Sequence, residues 1–239
     1  MSVLLFRQDA YRTEANAVVI AHTPEGGVVL DQSLFYPTGG GQPGDSGRLM
    51  WQGRALPIAT AVKTEGDQIA LVASEPQALP PIGTTLQQVI DWPRRHRFMR
   101  MHTALHLLSV VIPLPVSGGA ISEGRGRLDF DMPEAPTDRD MLEDYLNQLV
   151  DRDLPVTEDW ITDDMLRANP GLVKTMSVAP PMGSGRVRLV RIGQGTDQVD
   201  LQPCGGTHVA RTGEIGRLRL GKFEKKGRQN RRVYLHLDG

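Results

Sequence analysis

The sequence predicts an α+β protein built from a small N-terminal β-barrel, residues 1–92, and a second domain of helices and strands, residues 93–239. Three observations carry this. Short apolar runs separated by Gly, Pro and Asp fill the first ninety or so residues; helix-length apolar patterns begin only afterwards; and alternating apolar and basic strands close the chain.

The barrel strands are read from AVVIAH, GGVVLD, ALPIATAV and QIALVAS, which are six to eight residues long and bounded by turn formers. The stretch QALPPIGTTLQQVIDWPRRHR carries Pro80, Pro81, Gly83 and Pro93, so the domain boundary is set near residue 92. From Met99 to Val111 the apolar content predicts a buried helix, ended by Pro113 and Pro115. A second helix is expected from Thr137, as N-cap, to about Arg152. Its apolar stripe is Met141, Leu142, Tyr145, Leu146, Leu149 and Val150, which should pack against a sheet. RVRLVRI at 186–192, IGRLRLGKF and RRVYLHL read as strands apolar on one face and basic on the other.

Composition bounds the class. With 239 residues, 39% hydrophobic and 23% charged, this is the make-up of a soluble globular protein rather than a disordered, fibrous or membrane chain. The apolar run Val3 to Phe6 is too brief for a signal peptide or a membrane span, and a single cysteine cannot form an internal disulfide. Both point to the cytoplasm; the oligomeric state is left between monomer and weak dimer. The net charge of −1 hides an asymmetry: nine of the 27 Lys/Arg fall in residues 211–232 with only Glu214 and Glu224 of the 28 acidic residues, leaving 18 basic and 26 acidic elsewhere. Such a segment reads either as a phosphate-binding face or as a solvated strand face, and Arg94, Arg95, Arg97 and Arg100 can join it. Residues 129–165, by contrast, hold thirteen acidic residues with only Arg139 and Arg152, and read as solvated surface and helix-end charge.

Two pairs carry metal chemistry. His102 and His106 lie at i and i+4 on the predicted helix, on one face and within reach of one ion; alone, such a pair is more often core or surface packing than a metal site. Cys204 and His208 have the same spacing, but PCGGTH with its proline and paired glycines is a loop. Together the four donors form a mixed nitrogen and sulfur set suited to one tetrahedral zinc ion and poorly matched to Mg²⁺ or Ca²⁺. Four protein ligands make a closed structural site, three leave a position for an activated water, and the sequence alone leaves both open. The residues between the histidines are Thr103, Ala104 and Leu105, so the general base of an HExxH peptidase is missing.

FYPTGGGQPGDSG, residues 35–47, packs five glycines and two prolines around Thr38, Gln42 and Asp45. No GK[ST] follows, so it is not a P-loop. It reads either as a surface hairpin or as a backbone that approaches a small substrate, with the Thr38 hydroxyl and Gln42 amide as polar contacts.

FYPTGGGQPGDSG, HTALHLL and PCGGTHVARTGEIG, with LDFD at 128–131 and FEKKGRQNRRV near the end, occur in an order that resembles the AlaX-type alanyl-tRNA editing proteins, freestanding relatives of the alanyl-tRNA synthetase editing domain. The resemblance implies a medium-length member, its β-barrel followed by an α/β two-layer zinc-binding editing domain. It further implies hydrolysis of the ester joining serine, and in some members glycine, to tRNA(Ala). Carried over by motif, the zinc ligands would be His102, His106, Cys204 and His208, one ion per chain. Gln42 and Thr38 would be the catalytic pair near the aminoacyl group, with Gly39, Gly40, Gly41, Gly205 and Gly206 completing the substrate site. Mischarged tRNA(Ala) would lie on Arg217, Arg219, Lys222, Lys225, Lys226, Arg228, Arg231 and Arg232. A non-catalytic tRNA-binding module with a structural zinc, and a zinc hydrolase of another small ester or amide, are the alternatives.

Overall fold

The computed structural model describes residues 2–174 and 185–238, and the chain divides by its internal contacts into two compact units, Met1–His96 and Arg97–Gly239. In the first unit, β1 (Val3–Leu4) and α1 (Leu5–Gln8) precede β2 (Glu14–His22), β3 (Val28–Leu30), β4 (Gln32–Ser33), β5 (Gly47–Trp51), β6 (Arg54–Lys63), β7 (Ile69–Ala73) and β8 (Thr85–Ile90). Six of these close a barrel in the order β2-β3-β7-β6-β5-β8, every neighbour antiparallel. Alternation places Ala15, Ala17 and Val19 of β2, Leu49 and Trp51 of β5, and Leu56 and Ile58 of β6 in one core with Phe35 and Leu71. The mixed composition and the barrel are thus as expected. The expectation named no strand at β5 or β8, and in β8 Gln88 interrupts the apolar alternation of Leu86 and Ile90. Gln88 is nevertheless wholly buried, accepting from the Leu34 N–H at 2.8 Å and donating to the Gln32 carbonyl at 3.1 Å.

Helix α2 (Trp92–Val111) begins before the expected Met99. The Asp91 carboxylate caps it by accepting the Arg94 N–H at 3.2 Å, and Pro93 sits in the first turn, where a missing N–H costs nothing.

The second unit continues with β9 (Val116–Ser122), β10 (Arg125–Asp131), α3 (Arg139–Asp151), β11 (Val156–Thr162), α4 (Asp163–Ala168), β12 (Arg186–Ile192), β13 (Asp200–Pro203), β14 (Leu218–Lys225) and β15 (Asn230–Leu237). The strands form a four-stranded antiparallel sheet, β14-β15-β10-β9, and a three-stranded one, β11-β12-β13. Helix α3 corrects two details: Asp138, not Thr137, caps it by accepting the Met141 N–H, and Met141 and Tyr145 are exposed while Leu146, Asn147, Leu149 and Val150 are buried.

The face is turned because α3 also satisfies an edge strand. Arg139, Glu143 and Asn147, one turn apart, reach the backbone of β14. Asn147 accepts from the Leu218 N–H at 2.9 Å and donates to its carbonyl at 3.0 Å, Glu143 accepts from Leu220 N–H at 2.7 Å, and Arg139 donates to the Leu220 and Gly221 carbonyls. The acidic stretch is therefore not simply solvated surface. Glu158 and Asp159 pair with Arg188 and Arg191 on β12, Asp153 with Arg211, and Asp129 with Arg127 and Arg232.

Candidate metal centre

Four residues of the second unit converge. His102 and His106 project from successive turns of α2, and Cys204 and His208 come from the loop that follows β13. Their donor atoms lie within 4.8 Å of one another, with Cys204 Sγ 3.5 Å from His102 Nε2 and 3.2 Å from His208 Nε2. Zinc bond lengths of about 2.0–2.1 Å to nitrogen and 2.3 Å to sulfur set tetrahedral edges of roughly 3.3–3.6 Å, so the donors stand near the separations one such ion requires. The rings of His102 and His106 lie 4.4 and 4.6 Å from that of His208.

The surroundings fix which nitrogen each ring offers. His106 Nδ1 is 3.0 Å from Asp200 Oδ2, and Asp200 is held by Lys174 Nζ at 2.5 Å and Gln202 Nε2 at 2.8 Å. Thr103, wholly buried between the two helix histidines, donates to the Met99 carbonyl and so accepts from His208 Nδ1 at 3.1 Å. With Nδ1 of both rings engaged by these oxygens, Nε2 is the nitrogen that faces the cluster. Burial works against a charged Cys204, but the neighbouring His102 and His208 outweigh it and hold the thiol well below its usual value, toward the thiolate that ligates metals. Burial likewise opposes a charged His106, yet the Asp200 and Cys204 contacts raise it to about 9. Burial and then the His102 charge push His208 down to about 3, and Asp200, against its burial, is held at about 2 chiefly by His106. The donor set, the thiolate tendency and the oriented imidazoles fit a borderline-soft tetrahedral ion such as zinc.

The loop itself is clamped from β12. Arg188, 8% exposed, donates through Nη1 to the carbonyls of Cys204 at 2.8 Å and Gly206 at 2.9 Å, and through Nη2 to Glu158 at 2.5 Å, while its own carbonyl accepts the Cys204 N–H. Gly206 N–H lies 3.4 Å from the sulfur, and a Cβ on Gly205 would meet no atom within 4 Å. Thr103, Arg188, Asp200 and Gln202 were not read from the sequence. A signal was present for two of them, since Asp200 and Gln202 alternate with Cys204 along one side of β13 and its extension.

In the first unit the glycine-rich segment is a hairpin. Gly39 and Gln42 exchange backbone hydrogen bonds at 3.0 Å, and Gly40 and Gly41 between them have φ of 58° and 80°, a two-residue turn open to few residues but glycine. Gly44 is required for a different reason: a Cβ there would lie 2.2 Å from the Ala61 carbonyl. Thr38 is exposed; its hydroxyl accepts from Gly44 N–H at 2.9 Å and stands 3.4 Å from the Ala61 carbonyl. Gln42 is buried, at 1% exposure. Asp45 closes the loop: it accepts the Tyr36 N–H at 2.6 Å and grips Arg95, which is wholly buried and also donates to the Leu34 carbonyl. Arg95 is thus no part of a basic surface.

Of the C-terminal cations, Arg217, Arg219, Lys222, Lys225, Lys226 and Arg228 are exposed. Arg232 is forked onto Asp129 at 2.7 and 2.9 Å, and Arg231 turns to the Gly227 and Pro133 carbonyls. No helix among the described residues is long and apolar enough to cross a membrane.

Comparison with known proteins covers both units. The family model for the threonyl and alanyl tRNA synthetase second additional domain matches residues 187–234, and that for class II (A) tRNA synthetases matches residues 6–94. The chain is 31% identical to alanyl-tRNA editing protein AlaX-M of Methanosarcina acetivorans, over 99% of each chain. It is 30% identical to the AlaX-M protein of Methanosarcina mazei, over 99% of this chain and 97% of that one. It also matches alanine–tRNA ligase of Pyrobaculum arsenaticum at 34% identity, over 92% of this chain and 25% of the ligase.

Proposed function

Because the chain belongs to the AlaX family of alanyl-tRNA editing proteins, we propose that it is a zinc-dependent hydrolase that removes serine, and glycine as a second substrate, from mischarged tRNA(Ala) in the cytoplasm. What carries the reading is the four-donor cluster His102, His106, Cys204 and His208, supported by end-to-end likeness to editing proteins.

A synthetase pocket shaped for alanine cannot strongly exclude glycine and only weakly rejects an added hydroxyl, so a second site of different construction is needed. Thr38 supplies the difference. A hydroxyl has one donor and two acceptor positions; the proton is directed to the Ala61 carbonyl at 3.4 Å and Gly44 N–H takes one acceptor, which leaves the second acceptor position to receive a seryl hydroxyl. Alanine would leave that group unpaired, a penalty of about 1–3 kcal/mol, or roughly five- to 150-fold in rate. Gln42 acts with it from the buried side of the hairpin. Zinc, when bound by the cluster, supplies Lewis acidity toward the ester. Asp200 and Thr103 hold the imidazoles of His106 and His208, and Arg188 holds the loop that presents Cys204.

The test is release of amino acid from Ser-tRNA(Ala) and Ala-tRNA(Ala) at equal concentration. Serine is expected to leave faster, and equal rates or no release sink the reading. A non-catalytic tRNA-binding module is the second reading, favoured by four protein donors closing the coordination sphere; it requires tRNA binding with no deacylation and no effect of Gln42→Ala.

A further inference from the structure

The four-stranded sheet has one covered and one open face. Toward the core, Val233 and Leu235 of β15 and Leu128 of β10 are buried, and a Cβ on Gly126 would strike Met101 of α2 at 2.6 Å. The opposite face follows from the register: Arg125, Arg127 and Asp129 of β10 stand beside His236, Tyr234 and Arg232 of β15, and Arg219 and Glu224 of β14 stand beside His236 and Arg232. Between them β14 bulges, and Lys222 lands 5.4 Å from the centre of the Tyr234 ring, with Arg125 at 5.6 Å from the other neighbouring strand. Gly221 makes this possible, since a Cβ there would meet His236 Nε2 at 2.7 Å and Tyr234 Cβ at 2.8 Å.

We propose that this open face, centred on Tyr234 with Arg125 and Lys222 held against its ring, is where the phosphate backbone of tRNA lies. The inference rests on the tRNA-editing reading and deepens it, because Arg125, Arg127 and Tyr234 lie outside the basic C-terminal segment and are joined to it only by the fold.

Charge and shape select the partner. Arg125, Arg127, Arg219, Lys222 and Arg232 stand against Asp129, Asp131 and Glu224 on the face, with Asp238 at its rim paired to Arg219 at 3.4 Å. The excess is cationic, as RNA backbone binding requires. His236 reports the same field: burial and then the Arg219 and Arg125 charges hold it below its ordinary value. The neighbours on the edge strand β9 are small, Gly118, Ala120 and Ser122 opposite Asp129, Arg127 and Arg125, so among the described residues this strand sets nothing bulky beside the cations. Tyr234 donates to Glu224 at 3.1 Å, which fixes the ring and through it the two cations, so less freedom is lost when they meet phosphates.

The experiment is fluorescence anisotropy of labelled, uncharged tRNA(Ala) over a salt series with the full-length protein. Arg125→Glu with Lys222→Glu is expected to weaken binding at least about tenfold near 100 mM salt and to flatten the log K against log salt slope by about 1.8, two phosphate contacts' worth. Arg125→Gln with Lys222→Gln, milder for folding, should show the same flattening, and Tyr234→Leu should weaken binding about three- to tenfold with the cations intact. Arg54→Glu with Lys63→Glu on β6 makes the same change in net charge and should alter binding less than twofold. Equal losses in the two reversals would mean bulk charge and overturn the proposal, as would unchanged affinity of the Arg125 and Lys222 variants. A failure of the editing reading looks different: no serine is released, yet tRNA binding still depends on Arg125 and Lys222.

Discussion

Arg188→Met probes how the metal loop is held. Methionine keeps much of the side-chain volume but removes the donors that reach the Cys204 and Gly206 carbonyls at 2.8 and 2.9 Å. Hydrogen bonds from a charged donor are worth about 1.5–3 kcal/mol each. Two terms offset the loss. The guanidinium is buried and its Nε has no partner among the described residues, so its removal relieves a desolvation penalty; Glu158, 38% exposed, returns easily to water. A net loss of about 2–3 kcal/mol remains, which if borne by the metal-bound state alone is roughly 30- to 150-fold in affinity, overlapping the 10- to 100-fold typical of residues that orient metal ligands. Zinc competition against a chromophoric chelator reads the affinity, and thermal melting with and without metal reads the fold. A variant whose melting temperature falls while its zinc affinity stays within twofold of wild type would refute the clamp, because Arg188 would then serve only the sheet β11-β12-β13.

Asn147→Leu should lower stability by about 2–4 kcal/mol in urea denaturation, because both the N–H and the carbonyl of Leu218 lose their partner at a buried edge; a change under 1 kcal/mol would show that water replaces the amide. Asp45→Asn should cost about 3–5 kcal/mol by leaving Arg95 charged and enclosed, and Asp45→Leu with Arg95→Met should recover a large part of it; a double variant no more stable than the single would refute the pairing argument. Asp129 is held below the usual carboxylate value: burial opposes this, but Arg232 and Arg127 prevail. Its contribution is therefore fully present above the unfolded pKa near 3.8 and is lost as pH falls through the lower folded value. The stability difference between wild type and Asp129→Asn should shrink as pH drops from 6 toward 3, and a constant difference would argue that the pair carries no net charge coupling.

The barrel was legible because short apolar runs bounded by turn formers read as strands; β2 and β6 alternate in burial, while β3 and the start of β7 are buried throughout. β8 was missed where a polar side chain, Gln88, replaces an apolar one and satisfies two backbone groups inside the barrel. Pro93 misled in the other direction. Proline breaks a helix from within but not from its first turn, and only the Asp91 cap separates the two cases. In α3 the apolar stripe was placed on the helix face with the most hydrophobic side chains, whereas the buried face was decided by β14, whose unpaired backbone drew Asn147 inward.

Spacing reveals side chains that act together on one element; it is silent on partners that meet through the fold. That is why His102 with His106 and Cys204 with His208 could be read as two halves, each weak, while Arg188, which reaches the loop from β12, could not be read at all. Charge counting fails for the same reason. Residues 211–232 hold nine cations on paper, yet Arg232 is committed to Asp129 and Arg211 to Asp153, both in the stretch that composition reads as solvated acid. The folded surface holds these beside their acids and adds Arg125, with Arg127 sharing Asp129, from a strand nearly a hundred residues earlier, brought beside Tyr234 and His236 by antiparallel pairing. A basic surface is thus a property of register as much as of composition. A one-residue slip between β10 and β15 would turn Arg125 and Arg127 toward the core and Leu128 toward water, so the burial of Leu128, Val233 and Leu235 is what keeps the cations on the open face.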